Sequence, residues 1–532
     1  MLQLPDGLKA GWHVWISPSQ RRAMEYSTGV SAETIASMTL SAYDGGAVRL
    51  IPDTHVLDVT FPYSALSWSR FCPECLGSSA GRWQLIWRLG WSFACTVHGR
   101  LLVDECPNCG NRPRRRHNLR GIPAPEQCTC GYVLWHAAAP LLDPAHTLLR
   151  AQRTVNELIR GTSTSANLLA PGLPRSNRLD AIRSIANRVL NYASVHGLTA
   201  VAAADLPEGL IMVPQANRPR RARNALNVEP PPRAIETAVG VTAALAILES
   251  PTLNEAGRRA EWLIRGQNAD TGPAELRSCA RDDRLATAVV LRASAHRLGP
   301  ELELRYRSST PTPVAPRLDR SDVERIASAL PRAMWRDWSD ALLGEGRQTT
   351  AIRTALSIGV LLVGSTSRPV EAGEMLGAKA SANALNHRFW SLRATDNWPS
   401  ISIGLTLLSD YLYRHGAPID YARRRRLDYS PLLTPQDCRA VAQAVGIPLD
   451  DKAAADVRIW LIERISGNAA VPAGVARLRC GPNDVSAFPP PQLAEALIEL
   501  ASRFLRRSGI REPVEWSPRL PKLVSVEGST SP

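Results

Sequence analysis

Apolar positions recur with a helical rhythm over most of this chain. From residue 151 to residue 532 it is rich in Ala, Leu and Arg with dispersed prolines, a pattern that predicts mostly helix. Two runs, near Ala238–Leu248 and Ala355–Gly364, are the longest apolar stretches and predict buried helices. Both fall short of the roughly 20 residues needed to cross a bilayer. Near the N-terminus, Arg21–Leu40 predicts a helix, a turn at Gly29 and a second helix capped by Ser31. Trp83, Trp87 and Trp91 recur every four residues and would form one aromatic stripe on a helix.

A further helix pair is predicted over Pro369–Trp390. A short helix ends at Gly377, and a second begins near Ser381. Met375, Leu376, Leu385, Phe389 and Trp390 form the expected buried set. Ser381, Asn383, Asn386, His387 and Arg388 fall on or near the exposed face of the second helix, where such residues can reach base edges in a helix-turn-helix. An ordinary helical hairpin has the same pattern. Gln436–Gly467 offers a weaker pair hinged at Gly446 and Pro448.

Clusters of Pro, Gly, Ser and Asn mark linkers at Gly161–Arg175, Pro214–Arg233 and Ser308–Arg317. The expected organisation is mainly α and multidomain. It runs as a helical segment over 1–70, a small double zinc-knuckle or zinc-ribbon module over 71–140, helical regions over 141–215 and 234–307, a helical region with helix-turn-helix elements over 318–517, and a flexible tail over 518–532.

Charge adds a candidate partner. The chain of 532 residues has a formal net charge of +14, which favours an anionic partner, nucleic acid before an anionic membrane. Three arginine clusters are candidate phosphate contacts: Arg112, Arg114, Arg115, Arg116 and Arg120; Arg218, Arg220, Arg221 and Arg223; and Arg423, Arg424, Arg425 and Arg426. A solvated basic face explains any one of them as well. Asp420 and Asp428 are placed to neutralise part of the third. Met1–Arg22 lacks the apolar core of a secretory signal, so a cytoplasmic, nucleoid-associated location is expected, with the cysteines reduced.

Seven of the ten cysteines lie between Cys72 and Cys130, and they come in pairs. Cys72-Pro-Glu-Cys75 and Cys106-Pro-Asn-Cys109 are CxxC turns, Cys95-Thr-Val-His98 is a CxxH, and Cys128-Thr-Cys130 is a CxC. Two thiolates two residues apart on a tight turn can hold one ion at about 2.3 Å. Gly99, Gly110 and Gly131 follow the last ligand of a pair and permit the turn that closes a knuckle. Eight ligands suit two tetrahedral zinc ions, with His98 favouring zinc over an iron–sulfur cluster. Sequential pairing puts Cys72, Cys75, Cys95 and His98 in one site and Cys106, Cys109, Cys128 and Cys130 in the other; interleaved pairing remains open. Four protein ligands per ion leave no position for water, which makes such a site structural. Cys279, Cys438 and Cys480 are isolated and read as small buried hydrophobes.

The order Phe71-Cys-Pro-Glu-Cys75, Trp87-Arg-Leu-Gly-Trp91, Cys95-Thr-Val-His-Gly99, Leu101-Leu102 and Cys106-Pro-Asn-Cys-Gly110 resembles the TniQ family of transposition accessory proteins, over roughly residues 1–150. Two departures stand out. Gly11-Trp-His-Val-Trp-Ile16 replaces the family's usual Glu-Ser start, and the last pair is CxC rather than the more usual CxxC. The resemblance implies a non-catalytic protein that helps select the target site in DNA transposition. Its implied partners are DNA, an AAA+ ATPase regulator that recruits the transposase, and in some members an RNA-guided CRISPR effector; a homodimer is also considered, and no membrane.

Two rival readings follow from the residues alone. One is a zinc-containing transcriptional regulator. The other is an enzyme with structural zincs, which would need a catalytic pocket within residues 234–517. Neither a P-loop nor an HExxH, GxSxG or clustered carboxylate constellation occurs in the sequence.

Overall fold

The computed structural model describes residues 11–115, 123–162, 175–192, 229–264, 284–311, 313–344, 349–467 and 489–519. Those residues contain 19 α-helices and a single two-stranded sheet. The protein is mainly α. It divides into two compact units, Met1–His296 and Arg297–Pro532.

The first unit opens with α1 (Pro18–Thr28) and α2 (Ala32–Ser37). Ser17 and Gln20 cap α1 reciprocally, Gly29 ends it in the left-handed region at φ 71°, and Ser31 caps α2. The helix, Gly29 turn and Ser31-capped helix expected from the sequence are all present. Next come α3 (Pro73–Ser78) and an antiparallel pair, β1 (Ala94–Cys95) and β2 (Arg100–Leu101), in register Ala94 to Leu101. Between them the tryptophan segment forms a 3-10 turn at Leu85–Arg88 rather than the helix on which the three would make a stripe. Trp87 and Trp91 are buried nonetheless. Trp91 packs on Tyr63, and Trp83 packs between Phe71 and Trp87.

Helices α4 (Thr147–Arg160), α5 (Arg175–Tyr192), α6 (Ala234–Leu248), α7 (Leu253–Ala260) and α8 (Arg284–Ala293) complete this unit. Helix α6 is buried at every residue but Ala246, as the apolar stretch Ala238–Leu248 within it predicts. Gly240 lets α5 come close, because a Cβ there would sit 3.2 Å from the Leu190 side chain. One continuous core runs from Val14 to Ala293. This core extends across residues 70, 140 and 234. The region that carries the cysteine pairs is too small to bury enough apolar surface alone, and it shares the core of the helices that follow.

The second unit contains α9 (Pro300–Arg305), α10 (Arg320–Ser328), α11 (Arg336–Leu343), α12 (Thr350–Leu362), α13 (Pro369–Met375), α14 (Ala382–Arg393), α15 (Trp398–His415), α16 (Tyr421–Arg424), α17 (Pro435–Val445), α18 (Asp451–Ser466) and α19 (Pro491–Arg507). It has two cores, one around α12 and α15 and one around α17, α18 and α19. The helix pair expected over Pro369–Trp390 is present as α13 and α14. No helix of the described residues is long and apolar enough to cross a membrane.

Candidate metal centres and nucleic-acid face

Each ligand pair sits on a turn that the sequence enforces. Cys72 is the N-cap of α3, Pro73 occupies the first helical position, and Cys75 follows within the first turn. Cys95 ends β1, the His98 N–H points at the Cys95 sulfur 3.5 Å away, and Gly99 turns the chain at φ 63°. In the second half, the Gly110 N–H donates to the Cys106 carbonyl at 2.8 Å, and the Gly131 N–H to the Cys128 carbonyl at 2.9 Å.

The eight side chains gather into two groups. Cys72, Cys75, Cys95 and His98 form one, Cys106, Cys109, Cys128 and Cys130 the other, and within each the ligating atoms lie within 4.8 Å of one another. This grouping is sequential, not interleaved. In the first, Cys75 and Cys95 sulfurs are 3.6 Å apart, and His98 Nδ1 lies 3.7 Å from Cys72, 3.2 Å from Cys75 and 3.7 Å from Cys95. In the second, the Cys106–Cys130 and Cys109–Cys128 sulfurs are 3.8 and 3.6 Å apart. A tetrahedral ion with bonds of about 2.3 Å has edges of about 3.8 Å, so both groups fit one cation each. The CxC spacing at Cys128 and Cys130 does not keep either sulfur from its group.

Thiols packed this closely do not ionise together by themselves. Burial pushes Cys75 up to about 11 and Cys106 up to about 12, so a divalent cation would have to offset the cost of ionising them. All four corners of each group are protein atoms, which leaves no open coordination position. Cys72 and Cys95 are buried, whereas Cys109 and Cys130 are exposed.

Between the two groups lies a contact that the sequence did not reveal. Arg70 is fully buried, and its Nε donates to Asp104 Oδ1 at 3.0 Å. Its other nitrogens donate to the carbonyls of Ser92 and Pro231 and to the Thr237 hydroxyl. Asp104 also accepts the Ala234 N–H at 3.0 and 2.8 Å, at the start of α6, where a carboxylate suits the helix dipole. Burial raises the Asp104 carboxyl, and Arg70 opposes that shift. Gln152 of α4 likewise accepts the N–H groups of Phe93 and Ala94 at 2.7 and 3.0 Å and fixes β1.

The arginine clusters fare unequally. Arg112 stacks 4.5 Å over Trp68, and Arg114 lies 4.8 Å over Trp83. Arg112 also reaches Glu105, Arg114 donates to the Pro125 carbonyl, and Arg115 is exposed. Arg116, Arg120, Arg218, Arg220, Arg221 and Arg223 lie outside the described residues, as do Cys279 and Cys480. In the third cluster Arg424 is fully buried, paired with Glu512 at 2.9 Å and bonded to the carbonyls of Pro513 and Val514. It is therefore a structural arginine and cannot touch DNA. Arg423 pairs with Glu512, and Arg425 donates to the carbonyls of Leu330 and Met375, so these two are largely spoken for. Arg426 is exposed. Glu512 pairs with Arg423 and Arg424, and Asp420, which caps α16, favours the charge of Arg425 as expected, whereas Asp428 bonds Ser430.

Ser381, Asn383, Asn386 and His387 of the α13–α14 pair are exposed, and Arg388 is half-buried. Leu376, Leu385 and Phe389 are buried as expected, and Met375 is partly so. Trp390, expected inside, is 40% exposed. Phe389 and Trp390 are adjacent on the helix, about 100° apart, so only one can face the core.

Against known proteins, no curated protein and no solved structure matches this chain. A family model does match: residues 6–102 fit the model described as TniQ, a span that includes the first ligand group and stops before the second. Residues 6–102 are thus a TniQ domain, a domain that associates the chain with transposition.

Proposed function

We propose that this protein selects the target site for DNA transposition without catalysing the reaction. The TniQ match over residues 6–102 carries this reading. In it, the two ligand groups bind two structural zinc ions, which hold the first unit in shape for a protein partner. That partner is an AAA+ ATPase regulator, which in turn brings the transposase. The second unit, with Asn383, Asn386 and His387 on α14, holds DNA, with help from Arg112, Arg114, Arg115 and Arg426 as phosphate contacts. Docking on an RNA-guided CRISPR effector and pairing as a homodimer are arrangements open to the same protein. It would work in the cytoplasm, on the nucleoid. Both ligand groups lack an open coordination position, which supports a structural role for the metal over hydrolytic zinc chemistry.

The test is co-precipitation of the purified, zinc-loaded chain with the AAA+ ATPase of its own element, with and without duplex DNA. Retention of the ATPase, strengthened by DNA, supports the reading. Failure to retain it under both conditions contradicts it.

A further inference from the structure

We propose that α14 reads adenines in the major groove of the target duplex, through the side-chain amides of Asn383 and Asn386. This inference rests on the reading of the second unit as a DNA-holding unit.

Helices α13 and α14 are joined by a short, fully specified turn. Gly377 stands in the left-handed region at φ 71° and donates to the Glu374 carbonyl, while the Ala378 N–H donates to the Gly373 carbonyl. This double closure is a Schellman motif. Ser381 then caps α14 by accepting the Ala384 N–H at 3.3 Å. Leu385, Phe389 and Leu392 face inward and are at most 5% exposed. The opposite face carries Asn383, Asn386, His387 and Trp390, spaced i, i+3, i+4, i+7, and all four are exposed. Among the described residues neither asparagine amide has a hydrogen-bond partner. The stripe is thus a row of unspent polar groups on a helix that is firmly anchored behind.

The chemistry of the stripe selects among base pairs. A carboxamide offers one acceptor and one donor side by side, which matches the N6–H donor and N7 acceptor of adenine. Guanine is read by a bidentate arginine or lysine, and the stripe contains neither. Arg388 stands beside it half-buried, and Arg393 is engaged through its Nε by Glu303 at 2.7 Å. Trp390 presents an apolar surface suited to a thymine methyl. Asn383 and Asn386 are about 4.5 Å apart along the helix axis, close to one base-pair step, so the two adenines should be neighbours or nearly so. Exposed Lys379, in the turn, is placed to meet the adjacent phosphates.

The test is selection of random duplexes by the full-length, zinc-loaded protein, followed by sequencing, for the native chain and for Asn383→Ala and Asn386→Ala. Both asparagines are exposed, so the variants should melt as the native chain does. The expected result is a motif containing two neighbouring adenines, with each substitution relaxing one of them by about ten-fold. Three results would overturn the proposal. Guanines at the positions that a substitution relaxes would refute adenine reading. A motif unchanged by both substitutions would remove α14 as the reading element. Retention of no duplex at all by the native chain would remove the DNA-holding reading, and the proposal with it.

Discussion

Arg70 and Asp104 each stand two residues before the first cysteine of a CxxC, and their side chains meet at 3.0 Å inside the protein. The pair joins the two ligand groups to each other. Through the Ala234 N–H and the Thr237 hydroxyl it also joins both groups to α6. Removing one partner of a buried ion pair strands the other charge, at a cost of about 3–5 kcal/mol. Asp104→Ala should therefore destabilise the first unit by about that much, and Asp104→Asn by less. Denaturant unfolding measures the loss, and amide exchange at Ala234–Thr237 should quicken in both variants.

The metal centres should differ in how tightly they are guarded. Cys109 and Cys130 are exposed, whereas Cys72 and Cys95 are buried. Metal analysis should give two zinc ions per chain, and a chelator should strip the second group well before the first. Acid should release both, because thiolates must be deprotonated to bind. Cys72→Ser should unfold the module, since metal binding and folding are linked. Native mass spectrometry during chelation follows the order; simultaneous loss of both ions would contradict it.

Glu303 holds the C-terminal end of α14. It is buried and accepts from Arg393 Nε at 2.7 Å and from Trp398 Nε1, so α9, α14 and α15 are tied together. Glu303→Ala leaves both donors without their acceptor, which should cost about 2–4 kcal/mol. Glu303→Gln keeps the shape and should cost less. Thermal melting of the two variants checks the order.

Within the run Arg423–Arg426, two neighbours should behave oppositely. Arg424→Ala removes a buried guanidinium from Glu512 and two carbonyls, and should destabilise the second unit. Arg426→Ala should leave the melting temperature unchanged. If Arg426 meets phosphate, its loss should also flatten the salt dependence of DNA binding by about one counterion.

The contrast between these two arginines shows what the sequence could reveal. Four consecutive residues on a helical turn point in all directions, so a run of arginines must send at least one toward the core unless the segment stands free. The sequence shows the run but not which member turns inward. Trp390 poses the same problem beside Phe389. The tryptophans at 83, 87 and 91 have helical spacing, but tertiary packing shapes that segment into a 3-10 turn. By contrast, the ligand groups were legible because metal chemistry dictates both residue type and spacing. The turns at Gly29 and Gly377 and the caps at Ser31 and Ser381 were legible because local backbone chemistry alone determines them. Arg70, Asp104 and Glu303 were not, since each finds its meaning in a partner distant along the chain.

The central claim is that this protein decides where insertion happens. Mapping insertions genome-wide in cells carrying the complete element, with the native chain, with the chain deleted and with Asn386→Ala, tests it most directly. The account predicts clustered insertions with the native chain, loss or scattering without it, and a weakened or shifted cluster with the variant. The same insertion map with and without the protein would contradict the account.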